Sequence, residues 1–109
     1  MKAIKLSHLD TVATLLGDVE KNQVVEIISA DNEIIAEITT LQAITFGNKI
    51  ALAEINDGEH IYKAGHSIGK SIVEIPVGQL VHVQNVRSER LDIPASIIEE
   101  IIKQMGIEQ

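Results

Sequence analysis

The chain has 109 residues, which is the size of a single domain. It carries nine Lys and Arg against 16 Asp and Glu, for a net charge of −7, and this balance argues against a nucleic-acid partner or an anionic membrane surface. Cysteine is absent, which excludes thiolate chemistry, and aromatic residues are only 2% of the chain, so the core is expected to consist of Ile, Val, Leu and Ala.

The first 17 residues predict a strand followed by a short helix. Residues 3–6 form the predicted strand. Asp10 has the side chain of a helix N-cap, residues 12–16 supply an apolar helix face, and Gly17 would end the helix. No apolar run in the chain reaches the length of a membrane span, and no signal-peptide pattern is present, so a cytoplasmic protein is expected.

Residues 23–28 and 33–38 are rich in β-branched side chains and flank Ala30, Asp31 and Asn32. Asp and Asn tolerate the left-handed backbone of a tight turn. This pattern predicts a β-hairpin that belongs to the core scaffold.

The segment from residue 44 to residue 85 alternates short β-rich runs with glycines, and it contains an internal repeat. The eleven residues from Ala51 match the eleven from Ser71, with Glu-Ile followed three residues later by Gly58 or Gly78. Each copy predicts a strand, a tight turn at the glycine and a second strand. Two similar corners are therefore expected in one compact β unit.

The last 20 residues predict a connector and an amphipathic helix. Residues 87–90 are polar, and Pro94 suits the first turn of a helix. Apolar residues then recur at helical spacing up to Gly106, which would end the helix; they are Ile97, Ile98, Ile101, Ile102 and Met105. The stripe is expected to pack on its own domain or on another subunit, with Ile98 and Ile102 at least partly buried.

An ordered set of short motifs identifies a family. The motifs comprise Asp10-Thr11-Val12-Ala13 near the start, then Gly47-Asn48-Lys49-Ile50-Ala51-Leu52, Ile55 to Gly58-Glu59, Lys63-Ala64-Gly65, Ile68-Gly69 and Val81-His82-Val83-Gln84-Asn85. Together they resemble the SAF-type domain of the altronate/galactarate dehydratase family, which also includes sulfolactate sulfo-lyase. Three positions depart from the family pattern, since Asn48 and Gln84 replace His and Ala64 replaces Tyr.

The resemblance implies a mainly β fold, a compact, barrel-like β-clip over residues 1–88, with the connector and C-terminal helix in residues 89–109. It implies the small, non-catalytic subunit of a hydro-lyase that acts on a sugar acid. A large catalytic subunit would then hold the iron or manganese, with no cofactor in this chain, and the complex could also form homo-oligomers. The alternatives are a sulfolactate sulfo-lyase small subunit and a non-enzymatic SAF-type binding module.

Four residues are candidates for binding an anionic substrate: Lys49, Lys63, His82 and Asn85. Both lysines lie beside glycine turns in a chain with few cations, and an ammonium binds a carboxylate as a point charge. The alternative is that the lysines are solvated surface residues and that His82 is a partly exposed strand residue. The other histidines have no metal-ligand spacing, and His60 and His66 are predicted to be exposed.

Overall fold

Strands dominate the computed structural model, which describes residues 1–89 and 92–108. In chain order the elements are β1 (Lys2–Lys5), β2 (Val12–Leu15), β3 (Val24–Ser29), β4 (Ile34–Thr39), β5 (Lys49–Ala51), β6 (His60–Lys63), β7 (His66–Ser71), β8 (Leu80–Val81), β9 (Val86–Arg87) and α1 (Ala95–Met105). The mainly β prediction is confirmed, as is the C-terminal helix.

The strands form two sheets. The larger has the order β4-β3-β1-β2-β5-β8, and the smaller has the order β6-β7-β9. Within the larger sheet β1 runs parallel to β3 and antiparallel to β2. Neither sheet closes on itself in the part of the chain that the structure describes, so the compact unit is not a closed barrel.

The predicted hairpin is present as β3 and β4, which pair antiparallel from Val24 opposite Thr39. Asn32 takes a φ of 63° in the turn between them. This is the left-handed geometry that the Asp-Asn pair was expected to supply.

The predicted N-terminal helix is wrong, because residues 12–15 form the strand β2. Val12, Ala13 and Leu15 are all buried, since β2 lies between β1 and β5 inside the larger sheet. A short apolar run of this kind fits a buried strand as well as a helix face. Asp10 does not cap a helix either; its carboxylate accepts hydrogen bonds from Ser7 and from the distant turn at Ala64.

The two copies of the repeat face each other as a pair of corners. Ile55 and Ile75 exchange two backbone hydrogen bonds of 2.8 Å, each N–H donating to the carbonyl of the other. On either side, the glycine of one copy donates its N–H to the first residue of the other copy, Gly58 to Ser71 at 2.9 Å and Gly78 to Ala51 at 3.0 Å. The repeat in the sequence is therefore a local two-fold relationship in the structure.

A second pair of corners has the same pattern and was not predicted. Val19 and Ile44 exchange backbone hydrogen bonds of 2.9 and 3.0 Å, and each lies three residues before a turn residue with positive φ. Those turn residues are Asn22, with φ of 65°, and Gly47, with φ of 83°. The sequence repeat was hidden because Asn22 stands where the other three copies have glycine.

Aliphatic side chains build the core, as predicted from composition. One cluster lies on the larger sheet, around Leu15, Ile27 and Ile50. The other lies between the corners and the smaller sheet, around Ile61 and Ile75. The single Phe of the chain, Phe46, is 67% exposed and takes no part in either cluster.

The helix α1 begins after Pro94 and ends at Gly106, as predicted, with Gly106 in the left-handed conformation at φ of 65°. Ile98 is buried and Ile102 is half-buried, as expected, whereas Ile97 and Met105 of the same stripe are exposed. Arg90, in the predicted connector, lies outside the described residues. No helix among the described residues is long and apolar enough to cross a membrane.

Candidate functional site

A cavity of about 350 Å³ lies between the β unit and the C-terminal segment. The β unit contributes Lys49, Lys63, Ile68, His82, Val83, Val86 and Arg87, and the C-terminal segment contributes Ser88, Asp92, Ile93 and Ile98. The cavity therefore joins a polar rim to apolar walls, which is the usual construction of a small-molecule site.

Three of the four residues predicted to bind substrate line this cavity. Lys49 begins β5 and pairs with Val81 of β8, so the next residue, His82, leaves the sheet beside it. Lys63 ends β6, in the other sheet. The three side chains thus come together in one cavity from separate segments of the chain.

Asn85, the fourth predicted residue, does not line the cavity. Its side chain is buried, with Oδ1 accepting from the N–H of His82 at 3.0 Å and Nδ2 donating to the carbonyl of Leu80 at 2.8 Å. These two bonds close the turn that leaves β8. The contacts show that Asn85 holds the backbone of His82 in place.

Asp10 holds the turn that follows Lys63, just as Asn85 holds the backbone of His82. Its buried carboxylate accepts from the N–H groups of Ala64 and Gly65, both at 2.9 Å, and from that of Ser7 at 3.0 Å. Ala64 and Gly65 both have positive φ, of 53° and 81°, in the tight turn after Lys63. The carboxylate therefore fixes a turn that is unfavourable for alanine on its own.

Two titratable groups of the cavity, Lys49 and His82, have lowered pKa values. Burial lowers the pKa of Lys49, and the charge of Lys63 lowers it further. Burial likewise lowers the pKa of His82, with the charge of Lys49 as the second cause. Like charges that are held together in a partly buried site disfavour the charged forms, and such clusters occur often at functional sites.

Positive charge is concentrated here in an otherwise acidic chain. Among the described residues, three of the eight Lys and Arg line the cavity, against one of the 16 Asp and Glu. A cavity of this kind attracts anions and repels cations. The arrangement can therefore bind a small carboxylate, with the apolar walls strengthening the charge interaction.

Two charged residues of the cavity were missed from the sequence. The guanidinium of Arg87 donates to the carbonyls of Val83 and of Val86, the latter at 3.0 Å, so it is tied to the turn beside His82. Asp92 comes from the segment before α1. Both lie in or near the polar connector, where the residue spacing does not indicate which side chains line a cavity.

The other histidines lie away from this cavity. His60 and His66 are exposed, as predicted, although His66 begins β7 instead of lying in a loop. His60 Nδ1 lies 3.0 Å from Glu89 Oε1 and 3.1 Å from Ser67 Oγ. Because one nitrogen makes both contacts, this group lacks the two-sided relay by which a histidine activates a serine.

The sequence profile described as "Altronate/galactarate dehydratase SAF domain" matches residues 1–89. The chain belongs to this family. The chain is 34% identical over 93 residues to an altronate dehydratase of Escherichia coli (strain K12), covering 85% of this chain and 18% of the relative. It is 30% identical over 90 residues to an altronate dehydratase of Bacillus subtilis (strain 168), covering 83% of this chain and 17% of the relative. The chain thus spans less than a fifth of either relative.

The three departures from the family pattern can now be placed on the SAF domain. Asn48 donates from Nδ2 to Thr45 Oγ1 at 2.7 Å, and Ala64 occupies the turn held by Asp10. Gln84 donates from Nε2 to the carbonyl of Leu80 at 2.9 Å. None of the three lines the cationic cavity.

The family resemblance implies an iron or manganese ion. Within residues 1–89 and 92–108, no three His, Asp or Glu side chains are grouped so as to hold a metal ion. The described residues therefore do not fit such a metal. Its location in a large subunit stays a prediction.

Proposed function

We propose that this SAF domain is the non-catalytic, substrate-binding and covering part of a sugar-acid dehydratase. Its cationic cavity would hold the carboxylate of the substrate beside a catalytic polypeptide. The observation that carries the proposal is the meeting of Lys49, Lys63 and His82 in one cavity of a chain with net charge −7.

The chemistry of dehydration supports separate roles for the SAF domain and the catalytic part. Eliminating water from a hydroxy acid needs a base for the proton next to the carboxylate and assistance for the leaving hydroxyl. The role of the SAF domain in this proposal is to neutralise and orient the carboxylate and to exclude water from the reacting end. Both relatives are named altronate dehydratases and are more than five times longer than the matched segment, which supports a separate catalytic part.

The same relatives favour a dehydratase over the sulfo-lyase alternative. A non-enzymatic binding module, the third possibility, gains no support from either relative, because both carry the name of an enzyme. The substrate proposed for the cavity is therefore a six-carbon sugar acid of the altronate type.

Reconstitution tests the proposal. We expect a large lyase polypeptide to be encoded beside the chain. The two would be co-expressed, and dehydration of altronate would be assayed for the chain, for the large polypeptide and for their purified complex. We expect no turnover by the chain alone and the highest kcat/KM for the complex. Turnover by the pure chain would contradict the proposal, and so would a large polypeptide whose kcat/KM is unaffected by the chain.

A further inference from the structure

The cavity has charges of both signs, and they come from different parts of the chain. The β unit supplies the cations Lys49, Lys63 and Arg87, whereas the segment before α1 supplies the carboxylate of Asp92. Asp92 lies outside residues 1–89, which carry the family match. One wall of the cavity is thus built by a segment that the family pattern does not specify.

Asp92 does not neutralise the lysines. Among the described residues, no ion pair within 4.0 Å joins its carboxylate to either Lys49 or Lys63, although all three line the same cavity. The Asp92 side chain is exposed at the cavity, so its charge remains available to a ligand. A ligand would therefore meet both the cations of the β unit and, in the same cavity, a carboxylate that has no ion pair among the described residues.

Apolar side chains line the same cavity. Ile68 and Val86 come from the β unit and Ile93 and Ile98 from the C-terminal segment. Apolar walls reduce the local screening by water, so charges that line the cavity act on a bound ligand more strongly than in open solvent. Discrimination between ligands often arises from a repulsive element placed against the wrong one.

We propose that Asp92 makes the cavity selective for hydroxy acids with one carboxylate and penalises those with a carboxylate at each end. The lysines hold the single carboxylate, and Asp92 accepts a hydrogen bond from a hydroxyl at the far end of the ligand. A second carboxylate at that end cannot donate a hydrogen bond and is repelled. This inference rests on the proposed function, because it concerns the ligand of the same cavity.

Altronate and galactarate are a matched pair of probes, since both have six carbons and differ in having one or two carboxylates. Dissociation constants for both would be measured by isothermal titration calorimetry on the full chain, on Asp92→Asn and on Glu99→Gln. Glu99→Gln removes the same charge from an exposed position of α1 that does not line the cavity.

We expect Asp92→Asn to tighten galactarate binding by about five- to tenfold, the effect of removing one nearby like charge. Altronate binding should stay the same or weaken, and Glu99→Gln should change neither constant by more than about twofold. The tightening of galactarate binding by Asp92→Asn should be smaller at high salt, because screening weakens the repulsion.

Two other outcomes separate this inference from the proposed function. If both acids bind and Asp92→Asn changes their dissociation constants by the same factor, the selectivity is wrong and the binding role stands. If neither acid binds to any of the three proteins, the substrate-binding role itself is contradicted, and the selectivity is contradicted with it.

Discussion

The ammonium of Lys63 lies close enough to Lys49 to lower the pKa of Lys49, in addition to the larger effect of burial. The two residues are 14 positions apart in the sequence and belong to different sheets. Like charges that are held together disfavour the charged forms, and an anion bound between them would relieve the repulsion. This relationship is the main electrostatic evidence for a carboxylate site.

The titration of His82 gives a direct check on this cluster. Its pKa lies below the ordinary value of 6.5, first because of burial and second because of the Lys49 charge. We expect NMR of the imidazole to show titration below pH 6.5 and Lys49→Ala to raise the pKa part of the way back. Lys70→Ala, at an exposed position of β7 outside the cavity, is the control and should leave the His82 pKa unchanged.

The lowered pKa of His82 also makes the free energy of unfolding depend on pH. Between the folded pKa of His82 and about 6.5, the unfolded chain binds the proton more readily, so the free energy of unfolding should fall as pH falls through this window. Urea denaturation at a series of pH values would measure this slope. In His82→Gln the slope should be smaller; an identical slope would show that His82 is not perturbed by its surroundings.

Asp10 should be one of the most sensitive polar residues. Asp10→Ala removes the acceptor of three backbone N–H groups, including those of Ala64 and Gly65, and should cost about 3 kcal/mol of unfolding free energy. Asp18→Ala is a matched control, since the Asp18 carboxylate accepts one exposed bond, from Phe46, and should cost about 1 kcal/mol or less. Equal losses in the two variants would show that the turn does not depend on Asp10.

The paired glycines of the repeat offer a second matched test. A Cβ at Gly78 would lie 2.3 Å from the carbonyl oxygen of Thr39, whereas a Cβ at Gly58 would meet nothing within 4 Å. Both have positive φ, so Gly58→Ala should lose about 1 kcal/mol from backbone strain alone, and Gly78→Ala should lose about 3 kcal/mol or more. Thermal denaturation would rank the stabilities of the two variants. Equal losses of stability would contradict the close approach of the Thr39 carbonyl to Gly78.

The attachment of α1 can be tested with two neighbouring isoleucines. Ile98 is 5% exposed and lines the cavity, whereas Ile97 is 51% exposed. We expect Ile98→Ala to cost about 2–4 kcal/mol or to release the helix, and Ile97→Ala to cost less than about 0.5 kcal/mol. Denaturation and helical circular dichroism would measure both effects. A larger loss of stability in Ile97→Ala than in Ile98→Ala would show that a different face of the helix packs on the β unit.

The sequence predicted the parts of the fold that depend on local pattern. The hairpin turn at Asn32 and the helix end at Gly106 follow from residues that accept positive φ. Residues 12–15 were misread because an apolar run does not distinguish a buried strand from a helix face. The corner at Asn22 was missed because Asn there replaces the glycine that marks the other three copies.

The site was predictable to a similar extent. Lys49, Lys63 and His82 were found because they flank the repeated corners and match the family pattern. Asn85 has a polar side chain beside them, but its hydrogen bonds lie within its own turn, which sequence alone does not reveal. The position of Asp92 at the cavity depends on how the C-terminal segment packs on the β unit. That packing is a tertiary property, and no local sequence pattern indicates it.

The most direct test of the proposed carboxylate site is kcat/KM for altronate in the complex of this SAF domain with the proposed catalytic polypeptide. Lys49→Ala and His82→Ala should each lower kcat/KM by roughly ten- to a hundredfold, the scale of losing one charged or positioning contact, while the fold of the chain barely changes. Lys70→Ala should stay within about twofold. Kinetics that are unchanged in both Lys49→Ala and His82→Ala would contradict a role for the cavity in substrate binding.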